Sequence, residues 1–302
     1  MSAPLIPFPG SKPDLVVVRA GGKSLHPGWL EQTYDTRGFD LVVSYFDEAA
    51  YAAHPAQDGV QAILIKGGKW DGLFETFKAF PSYEQYQHVW LPDDDIATTG
   101  TDISKMFRLA KAQDLAVCQP SLTLDSYFSH FMFLTCAGFS LRYTNYIEIM
   151  IPCLKGDLFA QVLPLFEGTM SGYGLDYIWC RLPGAGRYKA AVLDEISMHH
   201  TRPIGSQLRG KIADQTGGRS EDEEARLLAR FGNIKKAVPV AYAGITKDAQ
   251  EIEGRFAMAR AMHRGYKAHL DRCLDPAYAA RKNRQLFKRQ LIKPMSLEPL
   301  IL

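Results

Sequence analysis

The sequence predicts an α/β fold with a mainly parallel sheet that is covered by helices. Four short apolar runs, largely β-branched, occur at positions 15–18, 41–46, 63–65 and 89–91. Each run is nearly uniformly apolar, which is typical of strands that are buried on both faces. Helix-compatible segments lie between some of them, including residues 70–80. Because strands that alternate with helices form parallel units with right-handed crossovers, we expect one parallel sheet.

Small or acidic residues follow three of these predicted strands. Gly21-Gly22 comes after the first run, Gly67-Gly68 comes after the third, and the acidic stretch 93–95 comes after the fourth. Ligands of open parallel sheets bind at the carboxyl ends of the strands. We therefore expect one binding site where these three loops meet.

Three adjacent carboxylates, Asp93, Asp94 and Asp95, follow the fourth predicted strand directly after Pro92. Adjacent carboxylates repel one another, so the cluster is stable either as a fully solvated turn or around a cation. Oxygen ligands suit Mg²⁺ or Mn²⁺, which proteins usually hold with one or two carboxylates plus phosphate oxygens. The pattern Asp-x-Asp at the end of a strand is how many nucleotide-sugar enzymes hold such an ion. An exposed acidic turn is the alternative interpretation.

Further elements follow before residue 205. Helices are predicted over residues 102–113 and 157–170, and strands over residues 116–120, 145–152 and 190–200. Strand 145–152 alternates, and Glu148 is a carboxylate among its apolar side chains. Two glycines, Gly172 and Gly174, allow a tight turn before Asp176, where a helix is expected to begin.

The bulk composition is that of an ordinary globular protein. Of 302 residues 46% are hydrophobic, and 35 Lys and Arg against 33 Asp and Glu give a net charge of +2. This near balance gives no indication of nucleic acid binding. Five scattered cysteines without a CxxC pair favour reduced thiols over disulfides or a zinc site. Since no signal peptide or transmembrane run is found, we expect a cytoplasmic protein.

The composition changes near residue 206. Residues 1–205 are predicted to form the sheet domain, and residues 206–302 a mostly helical extension with a mobile polar loop near 211–224. The segment 281–292 is a basic amphipathic helix. The basic face of such a helix is usually exposed to solvent. The alternative is peripheral contact with a membrane surface, such as the inner membrane.

Several of these motifs, taken in chain order, resemble a plant and bacterial family, the domain of unknown function 707. The motifs are Lys69-Trp70, Leu91 to Ile96, Gln119 to Leu122, Tyr146 to Pro152, Gly172 to Asp176, and Val192 to Asp194 with His200. The resemblance covers roughly residues 10 to 205. That family in turn looks like glycosyltransferases of the GT-A type. The resemblance implies a sheet that binds a nucleotide sugar, but it does not imply a donor or an acceptor.

The resemblance assigns roles around the acidic stretch. Asp93 and Asp95 would bind the metal, and Asp94 would face the ribose or the loop. His200 is the candidate third ligand, because many GT-A enzymes use a histidine late in the domain. Strand parity places His199 on the opposite face. Arg202 could clamp a phosphate, or it is an ordinary exposed arginine.

Further residues are candidates for catalysis and for nucleotide binding. Asp176 is the candidate general base, and an N-cap at a helix start would also explain it. Glu148 is either a site carboxylate near the acceptor or a paired structural acid. Lys66, Gly67 and Lys69 could contact the nucleotide phosphates or base, although a plain turn explains them too.

Together these features predict a metal-dependent glycosyltransferase that moves a sugar from a nucleotide-diphosphate donor to a hydroxyl acceptor. The expected cofactor is Mn²⁺ or Mg²⁺. One alternative is a non-catalytic module that binds carbohydrate or a protein partner on the same fold. A metal-dependent phosphohydrolase is less favoured, because Arg19-Ala20-Gly21 stands at the end of the first strand in place of a nucleophilic Asp-x-Asp.

Overall fold

The structure is a computed structural model that describes residues 5–204 and 220–301. Its strands are β1 (Asp14–Ala20), β2 (Phe39–Tyr45), β3 (Val60–Leu64), β4 (His88–Trp90), β5 (Ile96–Ala97), β6 (Val117–Leu122), β7 (Phe139–Thr144), β8 (Cys153–Lys155), β9 (Ala190–His200), β10 (Ala241–Thr246) and β11 (Glu251–Glu253). Its α-helices are α1 (Glu48–Ala52), α2 (Trp70–Lys78), α3 (Gly100–Ala112), α4 (Gly156–Val162), α5 (Ser220–Ala229), α6 (Arg255–Lys267) and α7 (Pro276–Ile292).

One large sheet organises the described part of the chain. Its strand order is β11-β10-β7-β9-β6-β8-β4-β1-β2-β3, and β5 pairs with β9 outside this order. Strands β7, β8 and β11 run against the others in this order. The four predicted runs of the first 91 residues are the parallel group β3-β2-β1-β4. The predicted α/β class with a mainly parallel sheet and flanking helices is therefore confirmed.

The strand order reverses at β1. The chain moves outward from β1 through β2 to β3, and then returns to place β4 on the other side of β1. Such a reversal leaves a crevice at the carboxyl ends of the two inner strands, where open α/β sheets bind their ligands. Gly21 follows β1 and Asp93 lies just beyond β4, so both predicted loops border this crevice.

Helices cover both faces of the sheet, because side chains alternate between the faces along each strand. In β1, Val16 and Val18 pack in one hydrophobic core, which also contains residues of α3, α6 and α7. Leu15 and Val17 point to the second core, which contains residues of α2 and α4. The sheet is thus a buried middle layer, and functional groups are accessible at its edges.

The predicted strand over residues 145–152 is wrong. The chain between β7 and β8 is irregular there, because its backbone groups bond to side chains and a loop. The N–H of Glu148 donates to Gln119 Oε1 at 2.8 Å, and the carbonyl of Ile147 accepts from Trp179 Nε1 at 3.0 Å. An alternating apolar pattern indicates which side chains are buried. It does not show which groups form hydrogen bonds with the backbone N–H and carbonyl groups.

The described part of the C-terminal third contains helices α5, α6 and α7, and it also contributes strands β10 and β11 to the sheet. The predicted division of the chain near residue 205 stays a prediction. Of the predicted mobile loop, residues 211–219 lie outside the described residues, and helix α5 begins at Ser220. The predicted helix at Asp176 is instead a pair of single 3-10 turns over residues 175–177 and 179–181. No helix among the described residues combines the length and the apolar character that crossing a membrane requires.

The predicted basic amphipathic helix is α7, and its inner face belongs to the protein core. Leu286 and Gln290 are buried, and the Gln290 side chain bonds to the backbone N–H and carbonyl of Ala241 in β10. Phe287 is partly buried. A contact of this helix with a membrane would therefore use its outer, basic face, and it stays a prediction.

A buried ion pair connects the C-terminal helices to the centre of the sheet. The Arg142 guanidinium in β7 contacts both carboxylate oxygens of Asp194 in β9, at 2.6 and 2.9 Å. It also donates to the hydroxyl of Tyr266 in α6, at 2.7 Å, and to the carbonyls of Met132 and Leu134. Both side chains of the pair are fully buried, and the five bonds satisfy the guanidinium completely.

We predict that Asp194→Ala destabilises the fold by about 3–5 kcal/mol, because removing one partner leaves an uncompensated buried charge. Chemical denaturation with two spectroscopic probes measures this change. The neighbouring Glu195 offers a matched control, because it pairs at the surface with Lys105 at 3.8 Å. Glu195→Ala should cost no more than about 1 kcal/mol. Equal effects of the two variants would contradict this assignment of the buried pair.

Candidate metal centre and neighbouring carboxylates

Asp93, Asp95 and His200 lie together at the edge of the sheet beside the β1/β4 crevice. Each offers one ligand atom, and these three atoms lie within 4.8 Å of one another. His200 and Asp95 are buried, whereas 35% of the Asp93 side chain is exposed. This is the set of side chains that the sequence predicts as metal ligands. Two carboxylates and an imidazole could hold a divalent cation.

The short strand β5 brings Asp95 to His200 across a separation of more than a hundred residues. It pairs antiparallel with the end of β9, with Ile96 opposite His200. One step further, the carbonyl of Asp95 accepts from the N–H of Thr201 at 3.1 Å and from its hydroxyl at 2.9 Å. The backbone around both ligands is therefore fixed before any ion binds.

The tautomer of His200 follows from its hydrogen bond to the backbone. Its Nδ1 lies 2.8 Å from the carbonyl oxygen of Tyr127, and a carbonyl can only accept, so Nδ1 carries a proton. Nε2 then faces Asp95 Oδ2 at 3.4 Å and is the atom available to a metal. Such a bond behind a histidine ligand orients the ring. The neighbouring His199 points away, to Thr123 at 2.8 Å, as strand parity predicts.

Asp95 carries an oxygen that supports the metal interpretation. Its Oδ1 is buried and has no hydrogen-bond partner among the described residues. Leaving a buried charged acceptor unpaired costs free energy, so such an atom in a native site calls for a ligand or an ion. The donor set and this unpaired oxygen fit a hard divalent cation.

Burial and the neighbouring charges shift the pKa values of Asp93 and His200. Burial raises the pKa of Asp93, the ammonium of Lys69 opposes that rise, and the nearby Asp95 adds to it. Burial disfavours protonated His200, but the hydrogen bond and the charge of Asp95 outweigh burial and raise the pKa of His200. In this centre the Lys69 ammonium thus pairs with Asp93, and Asp95 favours the protonated form of His200.

Asp94 and Arg202 bind each other. Arg202 Nη1 donates to Asp94 Oδ1 at 2.9 Å, and its Nη2 donates to the carbonyl of Lys23. The other oxygen of Asp94 accepts from the N–H of Gly21 at 3.2 Å. The pair closes the loop after β1 against the loop after β4. These bonds use two of the five donors of Arg202, so contact with a nucleotide does not require the pair to open, and that contact stays a prediction for both side chains.

A buried arginine holds the loop after β3, and the sequence did not indicate that it belongs to the site. Arg19 in β1 donates to the carbonyls of Ile65, Gly67 and Gly68 at 2.8 to 3.1 Å. Burial lowers its pKa to about 10. The backbone of Gly67 is thus fixed at the carboxyl edge, whereas Lys66 is exposed and pairs with Glu48 at 3.0 Å.

Lys69 and Asp93 form the second ion pair of the edge. Lys69 Nζ lies 2.6 Å from Asp93 Oδ1 and also donates to the carbonyls of Ile149 and Met150. Of the three predicted nucleotide contacts in this loop, Lys69 is therefore the one that touches the candidate metal centre.

A second group of carboxylates lies beside the metal centre. Glu148 and Asp176 are both buried, and the Tyr146 hydroxyl donates to Asp176 Oδ2. Neither oxygen of Glu148 has a hydrogen-bond partner within the described ranges, and the same is true of Asp176 Oδ1. Asp176 lies inside a 3-10 turn whose N-cap is Gly174, so helix capping does not account for it.

The environment of this pair favours protonated carboxyl groups. Burial and the charge of Asp176 raise the pKa of Glu148 to about 8, while His200 is near enough to oppose the rise. Burial raises the pKa of Asp176 to about 7, against the hydrogen bond from Tyr146. Two neighbouring buried carboxyl groups with strongly raised pKa values are typical of sites that move protons.

Comparisons with known proteins were made by family, by sequence and by structure. A scan against protein-family models gives no match, and a search of curated proteins by sequence gives none. Among solved structures, the chain is similar to residues 1–349 of TarS from S. aureus in complex with UDP-GlcNAc. The TM-score is 0.45 with 10% sequence identity, over 92% of this chain and 90% of that chain. The resemblance to the domain of unknown function 707 stays a prediction.

We predict that Glu148→Gln removes part of the pH dependence of stability. The folded protein holds the Glu148 proton to about pH 8, whereas an unfolded glutamate releases it near 4.3, so folded Glu148 binds more protons between these values. The free energy of unfolding of the wild type should therefore fall as pH rises from 5 to 9. With a chelator present, the free energy of unfolding of Glu148→Gln should exceed that of the wild type by up to about 5 kcal/mol at pH 9, because a tenfold difference in proton affinity corresponds to about 1.4 kcal/mol.

Denaturant titrations at pH 5, 7 and 9 measure this difference. The exposed Glu167 provides the control, since Glu167→Gln makes the same chemical change at the surface. A Glu148→Gln profile parallel to that of the wild type would show that Glu148 is ionised in the folded protein.

Proposed function

We propose that this protein is a metal-dependent glycosyltransferase that uses a nucleotide-diphosphate sugar and a hydroxyl acceptor. The observation that carries the proposal is the meeting of Asp93, Asp95 and His200 at the edge where the strand order of the sheet reverses. Ligands with phosphate groups bind at this edge in open α/β sheets. The proposed cofactor is Mn²⁺ or Mg²⁺, which the two carboxylates and His200 Nε2 would hold.

The cation, when bound, would act as a Lewis acid and template that neutralises the diphosphate leaving group. The residues of the chain supply the rest of the donor site. Arg19 holds the loop of Gly67 and Gly68 by bonds to their carbonyls, and we propose that the diphosphate binds near this loop. The Asp94–Arg202 pair fixes the facing loop. Both loops are rigid in the absence of a ligand, which lowers the entropy cost of binding.

Asp176 is the proposed general base. A carboxylate oxygen would accept the proton of the acceptor hydroxyl, while the acceptor oxygen bonds to the anomeric carbon of the sugar and the bond from that carbon to the diphosphate breaks. The Tyr146 hydroxyl holds one oxygen of Asp176, and the other oxygen is unpaired among the described residues. A base whose pKa lies near 7 is well matched to a reaction at neutral pH.

Glu148 is close enough to Asp176 and to His200 for the charges of both to shift its pKa. We propose that it stays protonated at neutral pH and donates a hydrogen bond to the acceptor or to the leaving diphosphate. It would then orient a reactant while Asp176 accepts the proton.

Binding of a nucleoside diphosphate should require both the divalent cation and the acidic ligands. We predict that UDP or GDP raises the thermal midpoint when Mn²⁺ is present and fails to do so with a chelator. A ligand at a hundred times its dissociation constant stabilises by about 2.7 kcal/mol, which a thermal scan detects readily. Asp95→Ala should abolish this shift. No shift with any nucleotide in the presence of Mn²⁺ would contradict the proposal.

Asp176→Asn separates binding from catalysis in the same assay. It should retain the Mn²⁺-dependent shift, because Asp176 is not one of the three ligands, and it should reduce sugar transfer or donor hydrolysis at least about 100-fold. Full nucleotide binding by the wild type without transfer over a broad donor panel would favour a non-catalytic binding module. Phosphate release from simple esters would favour a phosphohydrolase.

A further inference from the structure

The ammonium of Lys69 is bound on all sides by groups of the protein itself. It precedes helix α2, only 14% of its side chain is exposed, and its ammonium lies 5.1 Å from the ring centre of Trp70. The ammonium donates to Asp93 Oδ1 at 2.6 Å, to the Ile149 carbonyl at 2.8 Å and to the Met150 carbonyl at 3.1 Å. An ammonium has three donors, so Lys69 has no donor left for a ligand.

The position of this charge matters because Asp93 is one of the three candidate metal ligands. Asp93 and Asp95 contribute two negative charges, and the Lys69 ammonium cancels one of them. The neighbouring Asp94 and Arg202 pair with each other, so they add no net charge. A divalent cation that enters the centre therefore meets a net charge near −1 and a fixed ammonium bound to one of its ligands.

We propose that Lys69 is an internal counter-cation that weakens binding of the divalent cation to the free protein, so that the cation binds tightly only together with a diphosphate. Coulomb repulsion between Lys69 and the cation opposes binding of the cation alone. A diphosphate adds negative charge at the same place and restores the attraction. The second part of this proposal rests on the proposed function, because it requires a diphosphate ligand.

The opposite role makes the opposite prediction. If Lys69 served merely to orient Asp93, its removal would leave the ligand mobile and would weaken metal binding. If Lys69 acts mainly through its charge, its removal strengthens metal binding. The sign of the change in Mn²⁺ affinity therefore separates the two roles.

Mn²⁺ titrations of the full chain, followed by the EPR signal of free Mn²⁺, measure this sign. Without nucleotide, Lys69→Met should bind Mn²⁺ about tenfold more tightly than the wild type. Lys66 gives the matched control, because it lies three residues earlier, is exposed, and pairs with Glu48. Lys66→Met should leave the Mn²⁺ affinity unchanged. An unchanged or weaker affinity of Lys69→Met would overturn the proposal.

Lys69→Gln provides a second variant if Lys69→Met does not fold, because it keeps a hydrogen-bond donor and removes the charge. Far-UV circular dichroism and the thermal midpoint establish that each variant is folded. Lys69→Gln should also bind Mn²⁺ more tightly than the wild type does. A folded Lys69→Gln variant with wild-type affinity would overturn the role of the charge.

The same titration with saturating UDP or GDP tests the coupling. In the wild type the nucleotide should tighten Mn²⁺ binding strongly, because the diphosphate adds negative charge beside the cation. Lys69→Met should bind Mn²⁺ about tenfold more tightly than the wild type both with and without nucleotide, because the repulsion between Lys69 and the cation acts in both cases. If Lys69→Met tightens Mn²⁺ binding but no nucleotide affects any variant, the proposed function fails while the counter-cation role of Lys69 stands. If the nucleotide tightens Mn²⁺ binding in every variant but Lys69→Met binds Mn²⁺ no more tightly than the wild type, the proposed function stands and the counter-cation role of Lys69 fails.

Discussion

The candidate site depends on one constraint, which is the pairing of the two-residue strand β5 with the end of β9. This short ladder places Asp95 against His200, and the bonds from Thr201 to the Asp95 carbonyl prevent the loop from sliding. Asp93 is held from the other side, because its N–H donates to the Met150 carbonyl at 2.9 Å. The ligand set is thus fixed by backbone bonds, and its side chains need little reorganisation to receive an ion.

The site gathers more buried charge than a structural role would require. Among the described residues, the carboxylates of Asp93 and Asp95 lie beside Lys69 and His200. Two more carboxyl groups, those of Glu148 and Asp176, have raised pKa values because burial disfavours their charge. Buried polar groups without partners destabilise a fold, so their concentration at one edge of the sheet indicates a function. The hydrophobic layers on both faces of the sheet supply the stability that this edge lacks.

Local sequence patterns predicted the parts of the fold that depend on burial. The runs that form β1 to β4 contain more apolar residues than a strand with one solvent-exposed face would contain. The alternation of side chains along β9 placed His200 and His199 on opposite faces, as the structure shows. The acidic stretch after β4 gave the two metal-ligand candidates, because its residue types are unusual directly after a buried strand.

These local patterns could not predict contacts between residues that lie far apart in the chain. A two-residue strand such as β5 has no periodicity to detect, and nothing local joins Asp94 to Arg202. The segment 145–152 alternates like a strand, yet side chains of Gln119 and Trp179 satisfy its backbone. Arg19 left one local signal, a charge within an apolar run, which is the same signal that Glu148 gave. Tyr127, whose carbonyl fixes the His200 tautomer, gave none.

The most direct test of the central claim is an anomalous difference map from crystals grown with Mn²⁺ and UDP, recorded at the manganese absorption edge. We expect one strong peak within roughly 2.5 Å of a carboxylate oxygen of Asp93 or Asp95 and of His200 Nε2, with the diphosphate beside it. A bound nucleotide with no manganese peak at these residues, or a peak at a different part of the molecule, would contradict the account.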